Sequence, residues 1–166
     1  MADFSLKKIS PASIPHALDK AEGYRLRNDP AQAESIYRDV LAVDPDNQDA
    51  LRGLVLSLTD QFGSAAAGQA AREAQTHVAK LREEYERAYY TGIVCERQAR
   101  AHLNRRHAVR SSAYDGFRRA MQWYERAEAL RPPGNDDAVL RWNSCVRAIT
   151  SERLEPAQRG PELPLE

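Results

Sequence analysis

A chain of 166 residues has room for one domain with a core of its own, so no disulfide or metal staple is needed to hold it. Its 24 lysines and arginines balance 24 aspartates and glutamates, which excludes a global field drawing it to nucleic acid or a membrane surface. Only two cysteines occur, Cys95 and Cys145, each inside an apolar helical stripe, and they read as small buried thiols of a reducing compartment.

The chain opens on MADFSLKKIS, positive but without an apolar run of signal-peptide length, and residues 1–10 read as a flexible lead. No later stretch approaches a membrane span, and a cytoplasmic protein with no membrane partner is expected. Ser10-Pro11, or Ser13 with Pro15, can begin a first helix carrying Ile14, Ala17, Leu18, Ala21 and Tyr24 at helical spacing. Asp29 before Pro30 starts the second, because a carboxylate accepts from orphan first-turn amides and proline costs nothing there. Ala33, Ile36, Tyr37, Val40 and Leu41 share one face of it, and Pro45 stops it. Asp46 or Asn47 then caps a third helix, near 47–61, striped by Ala50, Leu51, Leu54, Val55 and Leu58. Phe62-Gly63 ends it, glycine suiting the left-handed residue past a helix, and Ser64 caps a fourth.

The fourth helix carries small residues, Ala66, Ala70, Ala74 and Val78 with Ala67 and Ala71 beside them, which predicts close helix approach. No glycine or proline interrupts residues 70–91, so a turn near Arg82–Glu84 and a single bent helix are both open. The fifth helix has Tyr85, Ala88, Gly92, Cys95, Ala99 and Leu103 on one face. Ser112 with Asp115 reads as the start of a sixth, striped by Phe117, Ala120, Met121, Tyr124, Ala127 and Leu130. After Pro132-Pro133-Gly134, Asn135 caps a seventh with Ala138, Val139, Trp142, Cys145, Val146 and Ile149 inward and Arg141, Asn143 and Arg147 outward. The tail, 152–166, holds three prolines and no apolar period and is expected to lack structure.

One pattern recurs. Ala33, Tyr37 and Pro45 return as Ala120, Tyr124 and Pro132, each displaced by 87 residues. With Tyr24 before it, the Ala-x3-Tyr…Pro spacing resembles the second half of a tetratricopeptide repeat, and Gly92 stands where that pattern has its glycine. The resemblance implies an all-α chain, an α-solenoid of antiparallel helix pairs in a tetratricopeptide-like superhelix of about seven helices. Its domain spans 11–151, with hairpins about 14–43, 47–82 and 85–131 and a capping helix at 135–150. Two repeats of about 34 residues account for only part of the displacement, so the last hairpin is expected to be longer than the others.

Catalysis needs converging groups, and the sequence offers few. His16, His77, His102 and His107 stand at no metal-ligand spacing, and read as surface or hairpin-loop residues. No glycine-rich phosphate loop or nucleophile motif occurs. Neither a cofactor nor a metal nor an enzymatic activity is expected. What remains is surface, and the resemblance implies a groove lined by the first helix of each pair that holds a partner's peptide or helix. Its positions here are Leu18, Glu22 and Arg25, then Arg52, Leu56 and Thr59, then Tyr89, Ile93, Glu96 and Arg97. Leu56, Tyr89 and Ile93 lie off the buried stripes and serve as apolar anchors, while Arg52 and Arg97 can hold a carboxylate.

Two alternatives stay open. The stretch from Arg97 to Arg119, with Arg100, Arg105, Arg106, Arg110, Arg118 and Arg119 against Asp115, can bind phosphate and so dock an acidic protein or nucleic acid. Its sparse aromatics, Tyr114 and Phe117, rank nucleic acid low. Length and layout also resemble the small tetratricopeptide chaperones of secretion systems. The tail can enter a groove, its own or that of a second copy in a homodimer.

Overall fold

Side-chain caps set the starts of two helices. In a computed structural model, which describes residues 4–63 and 67–157, Asp29 accepts from the Gln32 amide at 3.3 Å and Asn47 from the Ala50 amide at 3.0 Å. Seven helices follow among the described residues: α1 (Ile14–Leu26), α2 (Pro30–Val43), α3 (Gln48–Asp60), α4 (Ala67–Val78), α5 (Glu84–Leu103), α6 (Arg110–Leu130) and α7 (Asp137–Ser151). A 3-10 turn, Pro11–Ser13, leads into α1. Consecutive helices pack on one another, giving an all-α solenoid of antiparallel pairs.

Two helices end in a left-handed residue, and neither is a glycine. Asn28 (φ 60°) closes α1, with Asp29 N donating to Tyr24 O at 2.9 Å and Asn28 N to Arg25 O at 2.9 Å. Arg153 (φ 48°) closes α7 the same way, Leu154 N donating to Ile149 O at 2.9 Å. Gly63 does not adopt the expected left-handed φ; Phe62, buried beside it, seals the end of α3 instead. The expected Ser64 cap, Ala66 and the Ala67 side chain lie outside the described residues. Of the small stripe, Ala71, Ala74 and Val78 are buried.

The break between α4 and α5 is a real turn over 79–83, which removes the single bent helix. Leu81 is buried in the turn, and Arg87 donates to the carbonyls of Leu81 at 2.7 Å and Arg82 at 2.6 Å, drawing them out of helical pairing. The start of α6 also differs from expectation. It begins at Arg110 without a side-chain cap, and Asp115 plays no capping part. The His102 ring closes the preceding loop instead, accepting from Val109 N at 3.2 Å. Leu130 leaves the stripe, being 40 % exposed.

Two buried clusters share α5. Residues of α1–α4 with Leu81 and Val94 form one; Ala88, Ile93 and Ala99 with α6, α7 and Leu154 form the other. Val94 and Ile93 therefore face opposite cores from one helix. The last hairpin is the long one, 20 and 21 residues in α5 and α6 against 12 to 14 in α1–α4. Glycines permit the tightest approaches: a Cβ on Gly53 would lie 2.2 Å from Tyr37 Cζ, and one on Gly92 would lie 2.5 Å from Tyr124 Cε1. The recurring tyrosines are both buried but use different neighbours, Tyr37 the helix after it and Tyr124 the helix before it. The tail opens inside the fold, contrary to expectation. Leu154 is 5 % exposed and packs with Ala148 and the α6 residues, because the left-handed turn at Arg153 folds it back.

Candidate functional site

Among the odd-numbered helices, α3 touches both α1 and α5 directly, across the pairs. Between α1 and α3 lies a cavity of about 370 Å³, lined by Pro15, Leu18, Asp19, Glu22 and Arg25 from α1 and by Asp49, Gly53 and Leu56 from α3, with Tyr37 of α2 also on its wall. Residues 15, 18, 19, 22 and 25 recur at helical spacing, so one face of α1 supplies a whole wall. Gly53 lets Tyr37 reach in, since any side chain there would collide with the ring. Burial raises the Tyr37 pKa; Arg25 opposes the rise, while Glu22, Asp49 and Asp60 add to it.

Ion pairs tie the row together. Asp60 of α3 takes Arg25 of α1 at 3.0 Å and Arg97 of α5, and Arg97 also donates to Thr59 Oγ1 at 2.7 Å. Arg52 pairs with Glu86 of α5 at 2.7 Å and with Asp49. The two arginines expected to hold a partner's carboxylate thus already hold carboxylates of this chain, and that expectation is corrected. Asp19 and Glu22 are exposed and form no ion pair among the described residues, which leaves the cavity rim acidic.

Four of the ten expected groove residues, Leu18, Glu22, Arg25 and Leu56, line this cavity. Three others are buried: Thr59 at 3 %, Ile93 at 2 % and Glu96 at 1 % exposure. Ile93 therefore belongs to the second core and is no contact anchor. Tyr89 is half-buried, its ring 5.8 Å from Tyr85, 5.3 Å from Tyr90 and 6.0 Å from Tyr124. Glu96 is a hub rather than a groove residue. It accepts from Tyr124 Oη at 2.6 Å and from Arg100 Nε at 3.0 Å, with Arg141 at 3.7 Å. Arg141, expected to face outward on α7, points to this carboxylate instead. Asp19, Asp49 and Tyr37 went unread as site residues, although Asp19 and Glu22 stand one turn apart beside Leu18 in the sequence.

The basic stretch is divided. Arg100 is bound to Glu96 and to Ser144 Oγ at 2.9 Å, Arg110 lies 3.8 Å from the Glu152 carboxylate, and Arg118 lies 3.8 Å from Met121 Sδ. Arg105, Arg106 and Arg119 form no ion pair among the described residues.

The cysteines are both free, and each thiol is held up in pKa: Cys145 to about 12, by burial and then Glu96, and Cys95 by burial, which Arg119 opposes. His77 is not a surface residue as expected but half-buried, and its Nδ1 has no partner among the described residues. Among the described residues no helix is long and apolar enough to cross a membrane.

The fold and this site define a helical solenoid with an acidic cleft between its first and third helices. No protein-family model, curated protein or solved structure matches the chain.

Proposed function

We propose that the protein is a non-catalytic binding module of the tetratricopeptide type, taking a short segment of a partner protein between α1 and α3. The observation that carries this reading is the cleft's chemistry: Leu18 and Leu56 beside a rim of Asp19, Glu22 and Asp49. Such a wall suits a segment in which a lysine or arginine follows an apolar side chain. The apolar group covers the leucines while the cation meets the rim. An acidic segment would meet Asp19 and Glu22, which form no ion pair among the described residues, and this reverses the polarity expected for the groove. Raised thiol pKa values at Cys95 and Cys145 suit a scaffold better than a nucleophile.

A panel of short fluorescent peptides, matched in leucine and phenylalanine but carrying lysine, neutral or glutamate flanks, tests the proposal. Basic peptides bind, salt weakens them, and Asp19→Asn with Glu22→Gln weakens them about tenfold, or roughly 1.4 kcal/mol. Preference for the acidic peptides, or equal binding by the double variant, refutes it.

A further inference from the structure

The arginines between Arg97 and Arg119 fall into two groups. Those with ionic partners, Arg97, Arg100 and Arg110, are spent within the fold. Of the four without one among the described residues, Arg105 and Arg119 line a single cavity of about 240 Å³ at the loop end of the α5–α6 hairpin, and Arg106 and Arg118 do not. No carboxylate lines that cavity; its other polar walls are Gln98, His102, Ser112 and Cys95. Every other arginine-lined cleft described in this molecule carries an acid in its wall, so this combination is particular to the hairpin end.

Its geometry follows from one close approach. A Cβ on Gly116 would stand 2.9 Å from Ala99 Cβ, so α5 and α6 meet there and form the floor. Ser112 and Arg119 lie one turn either side of Gly116 and share its face, as Gln98 and His102 flank Ala99 on α5. Arg119 of α6 and Cys95 of α5 line the same cavity from the two sides of this floor. The amino terminus of α6 has no side-chain cap, and its positive end lies in the same place, at Ser112.

We infer that this cavity is a binding site for the phosphoryl group of a phosphate monoester. Two guanidinium forks with hydroxyl and amide donors match a tetrahedral dianion, whose oxygens outnumber those of a carboxylate. The volume is below the roughly 300–1,000 Å³ of sites that enclose a whole small molecule. The phosphoryl end therefore enters while its carrier stays outside. The site is independent of the α1–α3 cleft.

Nuclear magnetic resonance of the ¹⁵N-labelled full chain tests this, with phenyl phosphate and a phosphoserine peptide titrated against chloride at matched ionic strength. Both phosphates are expected to give saturable shifts at the Ser112 amide, the Gln98 side-chain amide and the Arg119 Nε. Arg105→Gln with Arg119→Gln weakens them at least about tenfold, while Arg106→Gln does not. Both arginines are exposed, so the double variant keeps its fold, and unchanged Asp19 and Glu22 resonances verify that. Tighter binding of the phosphoserine peptide assigns the source to a protein partner, and equal binding to a small ester. Shifts reproduced by chloride, or lost equally in Arg106→Gln, mean a diffuse field and overturn the inference, as does no saturable shift with either phosphate.

Discussion

Glu96 touches a phenol, two guanidinium groups and almost no water, so it is the position where a single change should cost most. Removing the carboxylate leaves Tyr124 and Arg100 Nε without their acceptor and Arg141 without its counter-charge. Breaking a buried pair costs about 3–5 kcal/mol, and the partial exposure of both arginines puts Glu96→Ala near the lower limit. Glu96→Gln still offers Tyr124 an oxygen and should lose less; urea unfolding that ranks the two the other way would refute the hub. The glycines give a second test at this scale. Gly92→Ala must displace the Tyr124 ring and should cost about 1–3 kcal/mol, whereas Gly63→Ala meets nothing within 4 Å and should be neutral or slightly stabilising.

At the scale of elements, α4 has a pH dependence whose sign is fixed. Burial, then Lys80, hold the His77 pKa below its ordinary 6.5, with Glu73 opposing and Arg38 adding to the effect. Its neutral form is favoured by folding, so its contribution is complete above pH 6.5 and is lost as pH falls through the folded value. Glu73, lowered chiefly by its bond to Arg38, acts in the same direction but below 4.5. Acidification from about pH 7 to 5 should therefore lower the amide protection factors of α4, taken relative to intrinsic exchange at each pH, and His77→Gln should abolish that slope; an unchanged slope would refute the assignment. The starts of α2 and α3, the turn before α5 and the segment after α7 show what sequence could reveal. Asp29, Asn47 and Pro45 announced their helices because capping and proline act within a few residues. Leu81 and Leu154 were invisible, since what buries them lies on other helices and a lone leucine in a turn has no period. Ile93 and Glu96 looked like groove residues for a related reason: α5 is covered on both sides, so lying off one stripe does not mean facing solvent. The cleft was half legible, because Leu18 and Glu22 followed from the repeat pattern while the ion pairs that neutralise Arg52 and Arg97 depend on packing. Leu154→Ala tests the most surprising of these positions. It should cost about 2–5 kcal/mol, where a structureless tail would give none.

For the whole molecule the question is whether the two cores melt together. Solenoids behave as a row of units coupled through their interfaces, and a weak interface lets one end unfold first. Here the interface is a helix rather than a seam: α5 supplies Val94 to the first core and Ala88, Ile93 and Ala99 to the second, and Tyr90 packs on both. Ion pairs from Asp60 to Arg97 and from Arg52 to Glu86 cross the same boundary. Losing α5 from either side would strip the other, so neither core has a folded state of its own. The molecule carries a probe for this, because Trp123 and Trp142 both pack on the second core and none lies in the first. Tryptophan emission therefore follows α5–α7, whereas far-ultraviolet circular dichroism follows every helix. The two signals should give one coincident urea transition, and Leu54→Ala in the first core should move the tryptophan midpoint as far as it moves the dichroism. Emission that holds its midpoint while dichroism shifts would mean that α5 stays folded without α1–α4, and the coupling argued from its two buried faces would fail.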